Sequence, residues 1–218
     1  MRPDEVLKEI AEQTTTCTRC KLHFSRKNAV PGAGNPNTSI MFIGEGPGFH
    51  ENEQGLPFVG AAGRFLDELL EQAGLTREKV FITNVVKCRP PGNRDPQSEE
   101  LEACKHYLDR QIAAINPDVI VTLGRISMSY FVSNGKISSI HGRHYWSNGR
   151  MVVPMYHPAA ALHQPSLRSV VKEDFANLPE LIETAQKSRQ ENPNLISKSQ
   201  ENTDDAQDDH FTEQLSLF

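Results

Sequence analysis

No stretch of this sequence is apolar for long enough to cross a membrane. Its first residues, MRPDEVLKEIAEQ, mix charges with apolar residues at helical spacing and lack the apolar region of a secretory leader. Neither membrane insertion nor export is expected, and the sequence reads as that of a cytoplasmic protein. Cysteine is scarce, with four in 218 residues. In a reducing compartment four thiols are better read as metal ligands or buried apolar side chains than as two disulfides. Apolar residues make up only 37%, but the shortfall is local. From Lys187 onward apolar periodicity disappears, and three Lys and Arg stand against seven Asp and Glu, so this tail carries four of the five net negative charges. The body is nearly neutral, which is compatible with a polyanionic ligand. There is no internal repeat, and no second complete domain is indicated.

What is present organises around Ser39–Gly63. Ile40 to Ile43 is a short apolar run typical of a buried parallel strand, and it breaks into Gly44-Glu45-Gly46-Pro47-Gly48. Glycines there permit a tight turn and a close ligand approach, and Glu45 and Glu51 stand at the carboxyl end of the strand, where open α/β sheets bind ligands. A second turn, Gly55 to Gly60, contains Phe58, and a helix over about 61–73 offers free amides to an anion. Further strands are predicted at Val80–Val86, Val119–Leu123 and Met151–Tyr156. Helices are predicted from a Ser98 cap to Ile115 and after His157-Pro158, and a hairpin turn at Ser147-Asn148-Gly149. Alternating strands and helices argue for a parallel sheet flanked by helices. Residues 1–186 read as one domain, 187–213 as a disordered acidic linker and 214–218 as a separate terminal peptide.

Several side chains could carry chemistry. Cys17 and Cys20 form a chelating pair, Cys88 ends a strand and Cys104 lies in the next helix. Four such thiolates suit tetrahedral zinc or an iron-sulfur cluster, although zinc ribbons usually show two tight pairs and this chain has one. Buried cysteines and a chance pair are the plainer reading. Glu45 is either a solvated loop residue or, flanked by glycines and followed by Glu51, a functional acid. Phe58 is either core or a ring for a ligand face. Asn84 sits in an otherwise apolar strand, where a buried amide must be hydrogen-bonded, so it pins a loop or reads a ligand edge. His157 is a capping group or a donor to a developing anion. Basic residues cluster in three loops, around Arg19 to Lys27, Lys87 to Arg94, and His141 to His144, and together suggest a track for a phosphate backbone.

Taken jointly, Gly44-Glu45-Gly46-Pro47-Gly48, the Gly55 to Gly63 run, Thr83 to Arg94 and His157-Pro158 closely resemble the motifs of the family 4 uracil-DNA glycosylases, over about Cys17 to Leu178. The resemblance implies a three-layer α/β/α sandwich with a central, mostly parallel four-stranded sheet. It also implies a [4Fe-4S] cluster on Cys17, Cys20, Cys88 and Cys104, and hydrolytic removal of uracil from single- and double-stranded DNA by base flipping in base excision repair. By position, Phe58 would stack on the extruded base, Asn84 would read its edge, His157 would donate to uracil O2, and Glu45 with the Gly46 backbone would border the base and place the attacking water. The water-activating role stays open between Glu45 and Glu51, because Glu51-Asn52 departs from the Glu-Asp that many members carry. Arg89, Arg94, Arg143 and Arg168 would contact DNA, the last at the end of a loop, Ala159–Arg168, that would enter the duplex. The basic, histidine-ending insert of the branch that traps DNA covalently is missing from Pro90–Pro96. The terminal Gln214-Leu215-Ser216-Leu217-Phe218 resembles a bacterial sliding-clamp-binding pentapeptide, with Gln214, Leu215, Leu217 and Phe218 as the contacts. A monomer is expected. The competing reading from the residues alone is a non-catalytic, metal-stapled DNA-binding protein, with a zinc protein that holds a nucleotide phosphate behind it.

Overall fold

The computed structural model describes residues 1–192. In chain order the elements are α1 (Pro3–Thr16), a 3-10 turn (Lys21–Ser25), β1 (Ala33–Gly34), β2 (Ile40–Gly44), α2 (Phe49–Gln54), α3 (Ala61–Gln72), a 3-10 turn (Arg77–Lys79) and β3 (Phe81–Asn84). After a 3-10 turn at Pro91–Asn93 come α4 (Ser98–Ile115), β4 (Val119–Leu123), α5 (Arg125–Ser129), α6 (Ile137–Ile140), β5 (Tyr145–Ser147), β6 (Arg150–Met155), α7 (Pro158–His163), α8 (Leu167–Ala176) and α9 (Leu178–Glu191).

The sheet has six strands in the order β1-β3-β2-β4-β6-β5. Its centre, β3-β2-β4-β6, is the expected four-stranded parallel sheet, with Gly44 opposite Asn84 and Val121 opposite Val153. The four-strand expectation is corrected by two antiparallel edges. Ala33-Gly34 pairs with Ile82 and Phe81, and Tyr145–Ser147 pairs back on β6 through the Asn148-Gly149 turn, where both residues have positive φ, as a two-residue hairpin requires. A two-residue strand is too short to leave a periodic signal.

Alternation along the buried strands divides the core between the two faces. Ile40, Phe42, Val121 and Val153 face Phe65, Leu66, Val171 and Phe175 of α3 and α8, with Ala161 of α7 and Ala185 of α9 in the same cluster. Met41, Ile43, Ile120 and Val152 face Leu108, Ile112 and Ile115 of α4, with Leu7 of α1 at the margin. The result is the α/β/α sandwich, and it aligns the carboxyl ends of β2, β3, β4 and β6 along one rim.

Two local expectations need correction. Gln97, not Ser98, caps α4: its backbone N–H donates to Glu100 Oε2 at 2.8 Å in a capping box. The linker does not begin at Lys187, because α9 continues to Glu191, and Arg189 Nη1 donates to Asn116 O at 2.9 Å and pairs with Asp118, tying the last turn to the body. Residues 193–213 of that linker and the 214–218 peptide lie outside the described residues.

Candidate active site

The rim holds a cavity of about 410 Å³ lined by Glu45, Gly46, Glu51, Phe58, Asn84 and His157, among others. The structure therefore brings together every residue expected in the base pocket, although they come from β2, β3, β6 and two glycine-bounded turns.

Phe58 has φ 53°, a left-handed conformation that an aromatic residue rarely adopts. Four features hold it there. Arg77 donates through Nη1 to Pro57 O at 3.0 Å and through Nη2 to Phe58 O, and its Nε is fixed on Asp67 at 2.6 Å. Gly63 leaves room for the Phe58 carbonyl, which a Cβ there would meet at 1.8 Å. At Gly44 a Cβ would stand 2.7 Å from the Phe58 ring and 2.4 Å from Asn84 Oδ1. Glu51 braces the same turn, its Oε1 accepting from Val59 N at 2.8 Å and Gly60 N at 2.9 Å. Phe58 is thus both a member of the core cluster and a wall of the cavity.

Asn84 ends β3 with its side chain buried, and Oδ1 has no hydrogen-bond partner. Thr122 Oγ1 and Arg150 Nε are the other such atoms among the described residues, and neither residue lines this cavity. A buried amide oxygen without a partner costs about 1–3 kcal/mol, so it marks a place prepared for a donor.

His157 follows β6 and caps α7. Its Nδ1 accepts the Ala159 N–H at 3.1 Å, so the ring proton sits on Nε2 and Nε2 is a donor. The ring stacks on Phe58 with centroids 5.4 Å apart. Burial lowers its pKa to about 4, against a smaller opposing effect of the Glu51 carboxylate. The imidazole is neutral across the physiological range.

Glu45 Oε1 accepts the Ile126 N–H at 3.0 Å. The carboxylate rests over Gly124, where φ is 100° and a Cβ would come within 2.4 Å of Oε1. Burial raises its pKa, the Ile126 hydrogen bond opposes this, and Asp95 adds to it. Of the two glutamates, Glu51 is committed to the Phe58 turn through one oxygen, while Glu45 is held by a single recorded hydrogen bond.

The four cysteines line a second hollow together with Thr14, Leu22, Lys87 and Tyr107. Arg26 organises it by donating to Cys17 O and Thr15 O, each at 2.8 Å, and to Cys88 Sγ at 3.5 Å, while the Lys87 N–H reaches Cys104 Sγ at 3.3 Å. Burial pushes the Cys20 and Cys88 thiols up and Cys104 to about 11. Among the described residues no group of three or more His, Cys, Asp and Glu is arranged to hold a metal ion. All four cysteines border this one hollow.

The four arginines have different surroundings. Arg94 lines the cavity but is engaged bidentately by buried Glu100, at 2.8 and 2.6 Å. Arg89 lies over the exposed Phe49 ring, 5.3 Å from its centroid, with Nε on Asn93 Oδ1 at 2.7 Å. Arg168 covers Phe65 at 4.4 Å and pairs with Glu68 at 2.8 Å. Arg143 is exposed between α6 and β5 and takes part in no ion pair among the described residues. Sequence reasoning missed Arg77, which reads as a surface charge beside Glu78, and Gly124, an ordinary glycine after a strand. It also missed His163 and Asp95, both cavity-lining. Only the positive φ at Gly124 had a possible signal, since a glycine between strand and helix favours such a turn.

The model of the uracil DNA glycosylase superfamily matches residues 31–179. A type-4 uracil-DNA glycosylase of Sulfurisphaera tokodaii is 50% identical over 188 residues, covering 82% of this chain and 86% of the relative. The type-4 uracil-DNA glycosylase of Thermotoga maritima is 47% identical over 184 residues, covering 82% of this chain and 96% of the relative. A type-5 uracil-DNA glycosylase of Thermus thermophilus is 35% identical over 150 residues, with 59% and 68% covered.

Proposed function

The chain belongs to the uracil DNA glycosylase superfamily, and from that premise we propose that it is a monofunctional glycosylase that excises uracil from DNA for repair by hydrolysing the N-glycosidic bond. The observation that carries the site assignment is that Asn84, whose buried Oδ1 has no hydrogen-bond partner, lines the cavity together with Phe58, Glu45 and His157.

Uracil carries a proton on N3 where cytosine has a lone pair, so an amide oxygen facing that edge accepts from uracil and repels cytosine. Phe58 covers the flat face of the flipped base. As the C1′–N1 bond breaks, its electron pair stays on the base. The resulting anion is stabilised at O2 by the neutral Nε2–H of His157, a donor that needs no reorganisation. Positive charge grows at C1′, where the Glu45 carboxylate favours it electrostatically and orients a water. The water oxygen bonds to C1′, its proton passes to Glu45 or solvent, and an abasic sugar and free uracil result. Glu51 is assigned to bracing the Phe58 turn, which supports Glu45 as the glutamate that faces the water.

Cys17, Cys20, Cys88 and Cys104, all bordering one hollow, supply the four thiolates that a [4Fe-4S] cluster takes, and the type-4 relatives support that reading over a single zinc ion. Such a group would staple α1 to the β3–α4 connection. Ligation through thiolates also fits a cytoplasmic location. Arg89, Arg143 and Arg168 are proposed phosphate contacts, and Arg94 is assigned chiefly to holding the start of α4. The 214–218 peptide remains a proposed ligand for the sliding clamp, and the acidic segment before it a tether.

The test is release of uracil from a labelled oligonucleotide with one uracil. Wild-type protein should leave an abasic site, and His157→Ala should be slower by about 10²–10³-fold, the usual cost of losing an anion-stabilising donor.

A further inference from the structure

Lys87 is 1% exposed, and its Nζ donates to Asn84 O at 2.6 Å, Gln111 Oε1 at 2.7 Å and Thr83 Oγ1 at 2.8 Å. Gln111 Nε2 and Thr83 Oγ1 both donate onward to Pro31 O, at 2.6 and 2.8 Å. The network is closed and contains no carboxylate, and Lys87 takes part in no ion pair among the described residues. An ammonium withdrawn from water onto neutral oxygens alone costs several kcal/mol unless an anion lies nearby. The anion available is the cysteine centre. Cys88 is the next residue, the Lys87 backbone N–H donates to Cys104 Sγ, and the side chain lines the same hollow as the four sulfurs.

We propose that Lys87 is the counter-cation of the tetracysteine centre and the positioning residue through which that centre holds Asn84 in place to read uracil. This rests on the cluster and glycosylase readings above. One residue touches both sites: its main chain binds a cluster ligand, and its side chain fixes the carbonyl of Asn84, hence the peptide from which the base-reading amide projects. The cluster region then acts on recognition through charge and hydrogen bonding, without contact with the base.

The test uses the full, iron-loaded chain with two variants, Lys87→Met and Gln111→Glu. Each is assayed for iron and visible absorption, for the midpoint potential of the cluster, and for KM and kcat on a single-uracil oligonucleotide. Lys87→Met should move the potential negative, because the reduced, more anionic state loses its neighbouring cation. It should also raise KM roughly three- to tenfold, the worth of one hydrogen bond. Gln111→Glu supplies a buried carboxylate while leaving the Lys87 to Asn84 bond, so it should lower the potential and leave KM near wild type, which a merely structural role would not produce. Unchanged potential in both variants, or in Gln111→Glu alone if Lys87→Met fails to fold, overturns the proposal. Wild-type protein without iron sinks the cluster reading, and loaded wild type that frees no uracil sinks the glycosylase reading, so these failures are distinguishable.

Discussion

In the proposed reaction Glu45 and His157 divide the charge between them, and their surroundings set which form each takes. His157 is neutral because the Ala159 N–H occupies Nδ1 and burial disfavours the imidazolium. Its charge change falls near pH 4, so it should not shape the activity profile around neutrality. Glu45 must be ionised, yet burial raises its pKa. Activity should therefore decline on acidification with an apparent pKa above the ordinary carboxylate value. Measured against pH, this limb should disappear in Glu45→Gln, whose turnover is lower by about 10²-fold or more. The same shift carries a stability consequence. A carboxyl with a raised folded-state pKa binds its proton more tightly when folded, so the folded state loses stability as pH rises through the ordinary range. Glu45→Gln keeps the Ile126 acceptor and removes the charge, so it should melt at a higher temperature at pH 7. A lower melting temperature would contradict this reading of the site. For His157 the sign is opposite in pH: the unfolded chain takes up a proton near 6.5 and the folded one only near 4, so stability should fall as pH drops from about 6.5 to about 4, and less so in His157→Gln.

Among elements, the turn from α2 to α3 has the most demanding geometry. Its conformation depends on the positive φ of Phe58, the two Arg77 hydrogen bonds to carbonyls and the absence of a Cβ at Gly63. Arg77→Ala should relax the turn and raise KM more than it lowers kcat, since the residue touches neither cavity nor substrate. A fall in kcat alone would argue against this. The sequence made this element half legible. The glycines and Phe58 declare a turn with a ring, but α2 itself, six residues of FHENEQ between glycine-rich segments, has too short a pattern to announce a helix. The role of Arg77 in the turn could not be read, because the partners it holds there are the main-chain carbonyls of Pro57 and Phe58, which carry no side-chain signature, while its one side-chain partner, Asp67, lies on α3. The buried parallel strands were the clearest features, since continuous apolar runs such as Val119–Leu123 have few alternative uses. The edge strands depend on pairing that no local pattern encodes, and the run of α9 past Lys187 depends on Arg189 meeting Asp118 from the far side of the body.

For the whole molecule, two hollows lie at opposite ends of one short connection: Asn84 borders the base cavity and Cys88 the cysteine centre. The resemblance in sequence named residues that line both hollows, but not the buried Lys87 between them, because a lysine among basic neighbours reads as a surface charge. Removing the proposed cluster should loosen α1 from α4 and lower the melting temperature even where the base cavity is untouched, as thermal unfolding of chelated and loaded protein would reveal. Deleting Gln214 to Phe218 should abolish clamp pull-down while leaving turnover on short oligonucleotides intact, and an unchanged pull-down rejects that peptide as the ligand. The central claim concerns the base cavity, and single-turnover excision from an oligonucleotide carrying one uracil tests it most directly. Wild-type protein is expected to free uracil while leaving the matched cytosine oligonucleotide uncut, with Asn84→Ala slower by at least about 10-fold, the worth of a hydrogen bond read in a buried site. Equal rates for wild type and Asn84→Ala, or release of cytosine as readily as uracil, would contradict it.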